Sequence, residues 1–287
     1  MLGRIVRHGL ALVATVLLGG LLAAFLVRLA PGFDADEQEL DPHLSAESVQ
    51  AIRAQRAAQH NVVQFYFRSL QRAAHGDLGK SISLGQPVST LLRERAPVTI
   101  RLVAVGLLMS WSMALAMALI AGWLRISAFD TFSTLISGTF LCIPAAVLAL
   151  LSILWNAPGA LAVGMIVFPR VYRFTRNLLA KAYNQPYIVT ARAKGLGDLR
   201  ILFWHVVPGV GPQLLAVAGV SISIAMGAAI PVEALCGLAG IGQLAWQAAL
   251  ARDLPLLMNI TILVTLVTLL ANQSADVIGH MVRGQEA

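Results

Sequence analysis

Charge is scarce in this 287-residue chain: only 12% of its residues are Asp, Glu, Lys or Arg. A soluble domain carries about 25%. With 57% hydrophobic residues, the chain has too little polar surface to stay dissolved, and it reads as a polytopic membrane protein. Cysteine is nearly missing. Cys142 and Cys236 form no metal or redox motif, and both are expected to be small packing residues. The six histidines are scattered, with no pair at ligand spacing on one helix face, so neither a metal site nor a cofactor is expected. Internal repeats and low-complexity tracts are lacking. So are paired acid/base or nucleophile–base groups at membrane depth, which argues against a membrane-embedded hydrolase.

What the chain does have is long apolar runs. Segments near the ~20 residues of a bilayer span lie at about Gly9–Ala30, Val98–Leu124, Thr131–Trp155, Gly159–Arg173, Gln213–Pro231 and Leu254–Asp276. The expectation is an all-α membrane protein with six transmembrane helices. The fourth run is short, and Pro169 and Arg170 interrupt its end. The first run follows Arg4 and Arg7 like a signal peptide. It exceeds a signal h-region of ~7–15 residues and lacks a clear cleavage site, so it reads as an uncleaved helix.

The net charge of +7 raises nucleic acid as a partner, but the bases crowd into a few loops, which is topological bias instead. One side holds Arg4, Arg7, Arg125, Arg170, Arg173, Arg176, Lys181, Arg192, Lys194, Arg200 and Arg283 against only Asp130, Asp198 and Glu286. The positive-inside rule therefore assigns both termini and the Lys181–Pro208 loop to the cytoplasm. On the other side lies a near-neutral segment, Pro31–Pro97. Ser45 can cap a helix over Ala46–Gln59, and Val62–Ala74, with Val63, Phe65, Phe67 and Leu70, reads as a second amphipathic helix ending in a turn at His75-Gly76-Asp77. The organisation expected is a first transmembrane helix at 1–30, an external helical segment at 31–97, and a core of helices two to six at 98–287.

The loop Tyr187–Pro208, YIVTARAKGLGDLRILFWHVVP, is the most informative stretch. Pro186 suits a first helical position. Tyr187–Lys194 gives about two turns, and Gly195 suits a left-handed C-cap. Gly197-Asp198 makes a second break, with Asp198 expected to cap Leu199–Val207 and Pro208 expected to end that helix. Small Ala191 and Ala193 would admit a close partner. Tyr187, Ile188 and Leu196 would anchor it, and Arg192 and Lys194 would add charge. Such a helix fits a groove on another protein or anionic lipid headgroups at the bilayer surface. The glycine break and the alanines favour the protein groove, because lipid binding does not require them.

Other motifs have plainer readings. Gly76-Asp77-Leu78-Gly79-Lys80-Ser81 superficially looks like a phosphate-binding loop, but that loop needs a glycine where Ala74 stands, so a turn is expected. Glu233 and Asp276 are acids near membrane segments, where solvation or a basic partner would suffice. Ser110, Ser112, Ser221, Ser223, Thr261, Thr265 and Thr268 lie within apolar helices and are expected to bond neighbouring turns and helices.

Tyr187, Thr190-Ala191-Arg192-Ala193-Lys194-Gly195-Leu196, His205 and Pro208 resemble the EAA loop of binding-protein-dependent ABC importer permeases, in the dipeptide, oligopeptide and nickel branch. That branch reads Tyr-x-Arg-Thr-Ala-Arg-Ala-Lys-Gly-Leu, then a His and a Pro. The resemblance extends to Arg28-Leu29-Ala30-Pro31-Gly32, to Gly76–Ser81 with Val88, Arg95, Pro97 and Thr99, to Val232-Glu233, Gly240-x-Gly242 and Arg252-Asp253-x-Pro255, and to Asn272 and Asp276. The blocks follow the branch's order over most of the chain. Departures are Pro186 in place of an acid, Val189 in place of arginine, Gly209 in place of asparagine, a helix 3–4 connection cut to about Asn156–Gly159, and no Asp-Pro-Arg ending.

The resemblance implies a type I ABC importer permease bundle with an external insertion after helix one. It implies a bacterial or archaeal inner membrane. Two permeases, identical or merely similar, would form the pore, two cytoplasmic ATPase subunits would drive it, and an external binding protein would deliver a small solute, peptide first among candidates. Tyr187–Leu196 would sit in a groove on the ATPase and perform no chemistry. The alternative is a secondary transporter or channel working without an ATPase.

Overall fold

The computed structural model describes residues 14–22, 24–26, 62–124 and 127–284. The predicted helix over Ala46–Gln59, the stretch 28–32 and Arg4, Arg7, Arg125 and Glu286 lie outside these residues. Apart from an isolated bridge between Lys80 and Pro87, every regular element among the described residues is helical. Residues 14–22 and 24–26 are helical. After them come α1 (Val62–Ala74), α2 (Val88–Leu124), α3 (Ser127–Cys142), α4 (Ala145–Leu154), α5 (Gly159–Tyr183), α6 (Pro186–Ala193), α7 (Asp198–Ile201), a π turn (Leu202–Val206), α8 (Val207–Cys236), α9 (Ile241–Leu250) and α10 (Leu254–Gly284). The chain divides into two compact units, residues 1–96 with 244–266 and residues 97–243 with 267–287.

In the first unit α1 is amphipathic, as predicted, with Phe65 packed against the cluster of Ala24 and Leu254. Tyr66 and Ser69 are buried while Phe67 is exposed. The Tyr66 hydroxyl donates to the Leu17 carbonyl at 2.6 Å. The inward face thus holds Phe65, Tyr66 and Ser69, and Phe67 alone of the two phenylalanines lies outside it. The His75–Asp77 turn forms, with Gly76 at φ 84°. The Gly76–Ser81 stretch is indeed a turn and is tied down by a buried acid. Asp253 accepts hydrogen bonds from the Ser81 hydroxyl (2.5 Å), the Ser83 hydroxyl (2.8 Å), the Ser83 amide (3.0 Å) and the Leu256 amide (3.1 Å). Asn259 adds a bond to the Leu78 carbonyl at 3.1 Å.

In the second unit α5 is the central helix and packs against α3, α4 and α8. Phe168 and Tyr172 stack at 5.8 Å between centroids, and Phe140 meets Phe168 edge-on at 6.4 Å. Large apolar side chains such as Leu108, Leu135 and Leu154 stay exposed. That is the pattern of helices solvated by hydrocarbon.

Several expected boundaries differ. The run Thr131–Trp155 is two helices, bent by 98°. Pro144 causes the break, because it lacks an N–H and drives the residue before it out of the helical region. Its own ψ of 144° is extended, and its carbonyl starts α4 by accepting from the Val147 and Leu148 amides. Pro169, expected to interrupt the fourth run, is instead carried inside the 25-residue α5. The Ser137 hydroxyl donates to the Pro169 carbonyl at 3.3 Å and ties α3 to α5. Among the described residues, three helices are long and apolar enough to cross a membrane, or four if the bent pair is one span. Cys142 is exposed and packs nothing, whereas Cys236 sits beside Ser152 at 3.7 Å.

Several polar residues within the spans bond as glue, whereas Ser110 is buried with its hydroxyl unpaired. Ser221 accepts from the Trp111 indole at 3.0 Å, Ser223 accepts from Asn272 at 3.0 Å, and Thr261 donates back to the Leu257 carbonyl at 2.8 Å.

Candidate functional site

The loop is built from local backbone rules. α5 ends at Tyr183, and Gln185 turns extended (ψ 145°) as the N-cap of α6. Pro186 occupies the first turn, where its missing N–H costs nothing. The helix closes in a Schellman motif: the Leu196 amide donates to the Ala191 carbonyl (3.3 Å) and the Gly195 amide to the Arg192 carbonyl (2.8 Å). Gly195 has φ 75°, which a Cβ would strain, so glycine is required.

Two faces result. Ile188 is 0% exposed and Ala191 5%, and both join the core formed by α5 and α8. Leu196 packs against the same core. Val189 (66% exposed) faces away, with Thr190, Arg192, Ala193 and Lys194 also exposed, while Tyr187 (44%) lies on the flank toward α8. Ile188 and Leu196 are therefore not free anchors for a partner, and Ala191 is not open to its close approach. Helical spacing puts 188 and 191 on one side, and the core claims it. Arg192 reaches Asp198 at 3.9 Å, a shallow ion pair between exposed groups.

The second half of the loop departs from expectation. Asp198 makes no side-chain cap; Gly197, extended at ψ 151°, is the N-cap. Pro208 does not end the helix. α7, the π turn and α8 run on as one helical segment, Asp198–Cys236. The π turn is the physical answer to Pro208: a proline ring clashes with the carbonyl four residues back, here that of Trp204, and widening the turn relieves the clash. The Val207 amide accordingly reaches the Leu202 carbonyl, five residues back. The two prolines inside α8, Pro212 and Pro231, are likewise tolerated.

His205 and Pro208 line an open cleft of about 660 Å³ together with Lys181, Tyr187, Trp204 and Gln213. The Tyr187 hydroxyl hangs over Gly209, 3.3 Å from where a Cβ would stand. On the other flank of α5 a smaller cleft, about 360 Å³, is lined by Gly122, Asp130, Arg176, Tyr183 and Arg192. There Arg176 grips both oxygens of Asp130 through Nε and Nη2. Sequence reading counted these two charges only as topology. The signal it lacked was a facing of α3 and α5, which are far apart in the chain.

Glu233 is the other residue whose role the sequence did not disclose. It is 0% exposed, so neither solvent nor a base accounts for it. Its Oε2 accepts from the Gly242 amide at 2.6 Å and the Gln243 amide at 3.3 Å. The Thr99 hydroxyl accepts from the Ile241 amide at 2.8 Å and lies beside the same carboxyl. Three otherwise orphaned N–H groups at the start of α9 are thereby satisfied. A Cβ at Gly240 would strike the Glu233 carboxyl, and one at Gly242 would lie 2.6 Å from the Ile230 Cα. The Gly240-x-Gly242 pattern is thus the negative imprint of Glu233 and its helix. Among the described residues no three His, Cys, Asp or Glu side chains converge as metal ligands.

Residues 114–283 match the family model described as binding-protein-dependent transport system inner membrane component. The chain is similar to a putative peptide transport system permease protein of Brucella abortus (strain 2308), 27% identical over 292 residues covering 93% of both chains. It is also similar to the oligopeptide transport system permease protein OppB of Salmonella typhimurium and of Escherichia coli K12, each 30% identical over 288 residues covering 92% of both chains. The chain belongs to the binding-protein-dependent transport system inner membrane component family, the membrane permeases of ABC importers.

Proposed function

We propose that this permease belongs to a peptide importer and that Tyr187–Leu196 is the element through which separate cytoplasmic ATPase subunits drive it. Tyr187, Thr190, Arg192, Ala193 and Lys194 form the face offered to the ATPase groove. Ala191, Gly195 and Leu196 hold that face in shape, and His205 and Pro208 carry the connection into α8. One observation supports this above all. α6 is closed by its own backbone and fastened inward by Ile188 and Ala191, while its outer face is left unused. A push on that face passes into α8 without first deforming the loop.

In operation, ATP binding closes the ATPase pair and moves α6 of each of two permeases. The pore then switches between two packings as a rigid-body change. An external binding protein delivers the peptide, and ATP is hydrolysed outside this chain. Both termini and the loop lie on the cytoplasmic side of an inner membrane, as the excess of bases in the short loops supports.

The test is Gly195→Pro in the assembled transporter, reading peptide uptake and ATPase co-purification together. Loss of both is expected. Retained uptake with wild-type ATPase recovery would mean that the loop transmits nothing.

A further inference from the structure

Two packings exchanged by a rigid-body change need a place where the chain bends. The segment 202–212, between the coupling helix α6 and the rest of α8, has the backbone for it. Leu202–Val206 is a π turn, with the Val207 amide on the Leu202 carbonyl, and π turns inside helices are sites of kinking and of function. Pro208 and Pro212 follow directly. Neither has an N–H, so the carbonyls of Trp204 and Pro208 lose the donor four residues on. The helix is thus short of hydrogen bonds in successive turns. Its π turn is also held on one side only: Leu202 and Val206 are buried, while Phe203 and Trp204 are exposed.

Gly209 and Gly211 loosen the same stretch. Glycine inside a helix is disfavoured against alanine because its backbone has more freedom to lose, so a helical glycine needs a reason. Gly219, further along α8, has one in packing: a Cβ there would stand 2.6 Å from the Ala275 Cβ. Gly211 has none of that kind, because no atom lies within 4 Å of where its Cβ would stand. A Cβ at Gly209 would meet only the Tyr187 hydroxyl, at 3.3 Å. Packing does not ask for glycine at 211, and bending does. We infer that 202–212 is a hinge at which α8 tilts relative to α6 during transport; the inference rests on α6 being the element that the ATPase drives. The π turn and the proline–glycine run absorb the change in backbone angle, and the part of α8 beyond them tilts without bending.

The test is a pair of spin-label distances in the assembled transporter, with Cys142 and Cys236 replaced. Leu199 and Val220, both exposed, straddle the segment, and Val220 and Leu235, also exposed, both lie beyond it. Between the nucleotide-free and ATP-bound transporter the first distance is expected to shift and the second to stay fixed. A fixed first distance, or an equal shift in both, would overturn the hinge. Gly211→Ala reads the same claim through function. It meets no neighbouring atom and favours the straight helix about fivefold. Peptide uptake should therefore fall about fivefold, while the thermal midpoint and ATPase co-purification do not fall. Gly138→Ala, at a helical glycine of α3 with equally open space, is the control and should leave uptake unchanged. Wild-type uptake in Gly211→Ala, or equal losses in the two variants, would contradict the inference. Gly195→Pro separates the two readings. If α6 is not driven by the ATPase, that variant keeps uptake and ATPase recovery; if the hinge alone is wrong, it loses both while the distances stay fixed.

Discussion

Two glycine-marked turns in the same unit, 184–208 and 233–243, are put together from similar parts and finished in opposite ways. Each joins helices through a left-handed glycine, Gly195 at φ 75° and Gly237 at φ 65°. At 233–243 a fully buried carboxylate and the Thr99 hydroxyl take up the amides of the next helix, and two further glycines make room for the carboxyl. At 184–208 no side chain caps either α6 or α7. The outer face there carries Val189 and Lys194 into the open, with one shallow ion pair for company. At 233–243 the Oε2 of a buried acid is consumed by the amides of the next helix, which is a structural role, while its Oε1 has no partner. The loop at 184–208, with its backbone closed and its outer side chains exposed, is the one we propose as a docking face.

That contrast can be broken by mutation. The largest effect is expected at Glu233→Ala, which strands the Gly242 and Gln243 amides in a buried site. Each stranded group costs roughly 1–3 kcal/mol, so the thermal midpoint and folded yield of the detergent-purified protein should fall sharply. A midpoint within a degree of wild type would remove the structural role assigned to this turn. Next comes Gly195→Ala. The left-handed backbone penalty is about 1–2 kcal/mol, and the strain falls on the α6 closure. Uptake is expected to drop further than stability does, measured side by side by transport assay and thermal melt. Asp130→Asn comes third. The Arg176–Asp130 pair is about one-third exposed on both sides, and pairs of that kind contribute only ~0–1 kcal/mol. A small loss of midpoint, shrinking further in high salt, is expected. The smallest effect on the fold is at Arg192→Gln, where an exposed pair at 3.9 Å is lost. Its thermal midpoint should match wild type while ATPase co-purification weakens. Unchanged co-purification would count against the outer face as a docking surface.

Much of this architecture could be read from the chain, and the limits have physical causes. Local rules carried well: Pro186 in a first turn, Gly195 left-handed, and a turn at 75–77 all depend on residues within four positions of one another. Proline was the least legible residue. Pro144 breaks its helix by 98°, whereas Pro169, Pro208, Pro212 and Pro231 lie in helical backbone that continues past them. At Pro208 the difference rests on a widened π turn before it, and sequence spacing does not encode that. Facing was the second limit. Ile188 looks like an exposed anchor, and Ala191 like room for a close partner, until α5 and α8 are seen to cover them. Glu233 looks like a solvated acid until the amides of α9 are found on it nine and ten residues away.

The most direct test of the central claim is site-directed crosslinking at α6, with Cys142 and Cys236 replaced so that a single introduced thiol reports. Val189 is 66% exposed and its neighbour Ile188 is 0% exposed. The account predicts that Val189→Cys crosslinks to the ATPase subunit in assembled transporter and that Ile188→Cys does not. Labelling of Val189→Cys by a membrane-impermeant thiol reagent from outside the cell, with no crosslink to the ATPase, would contradict it.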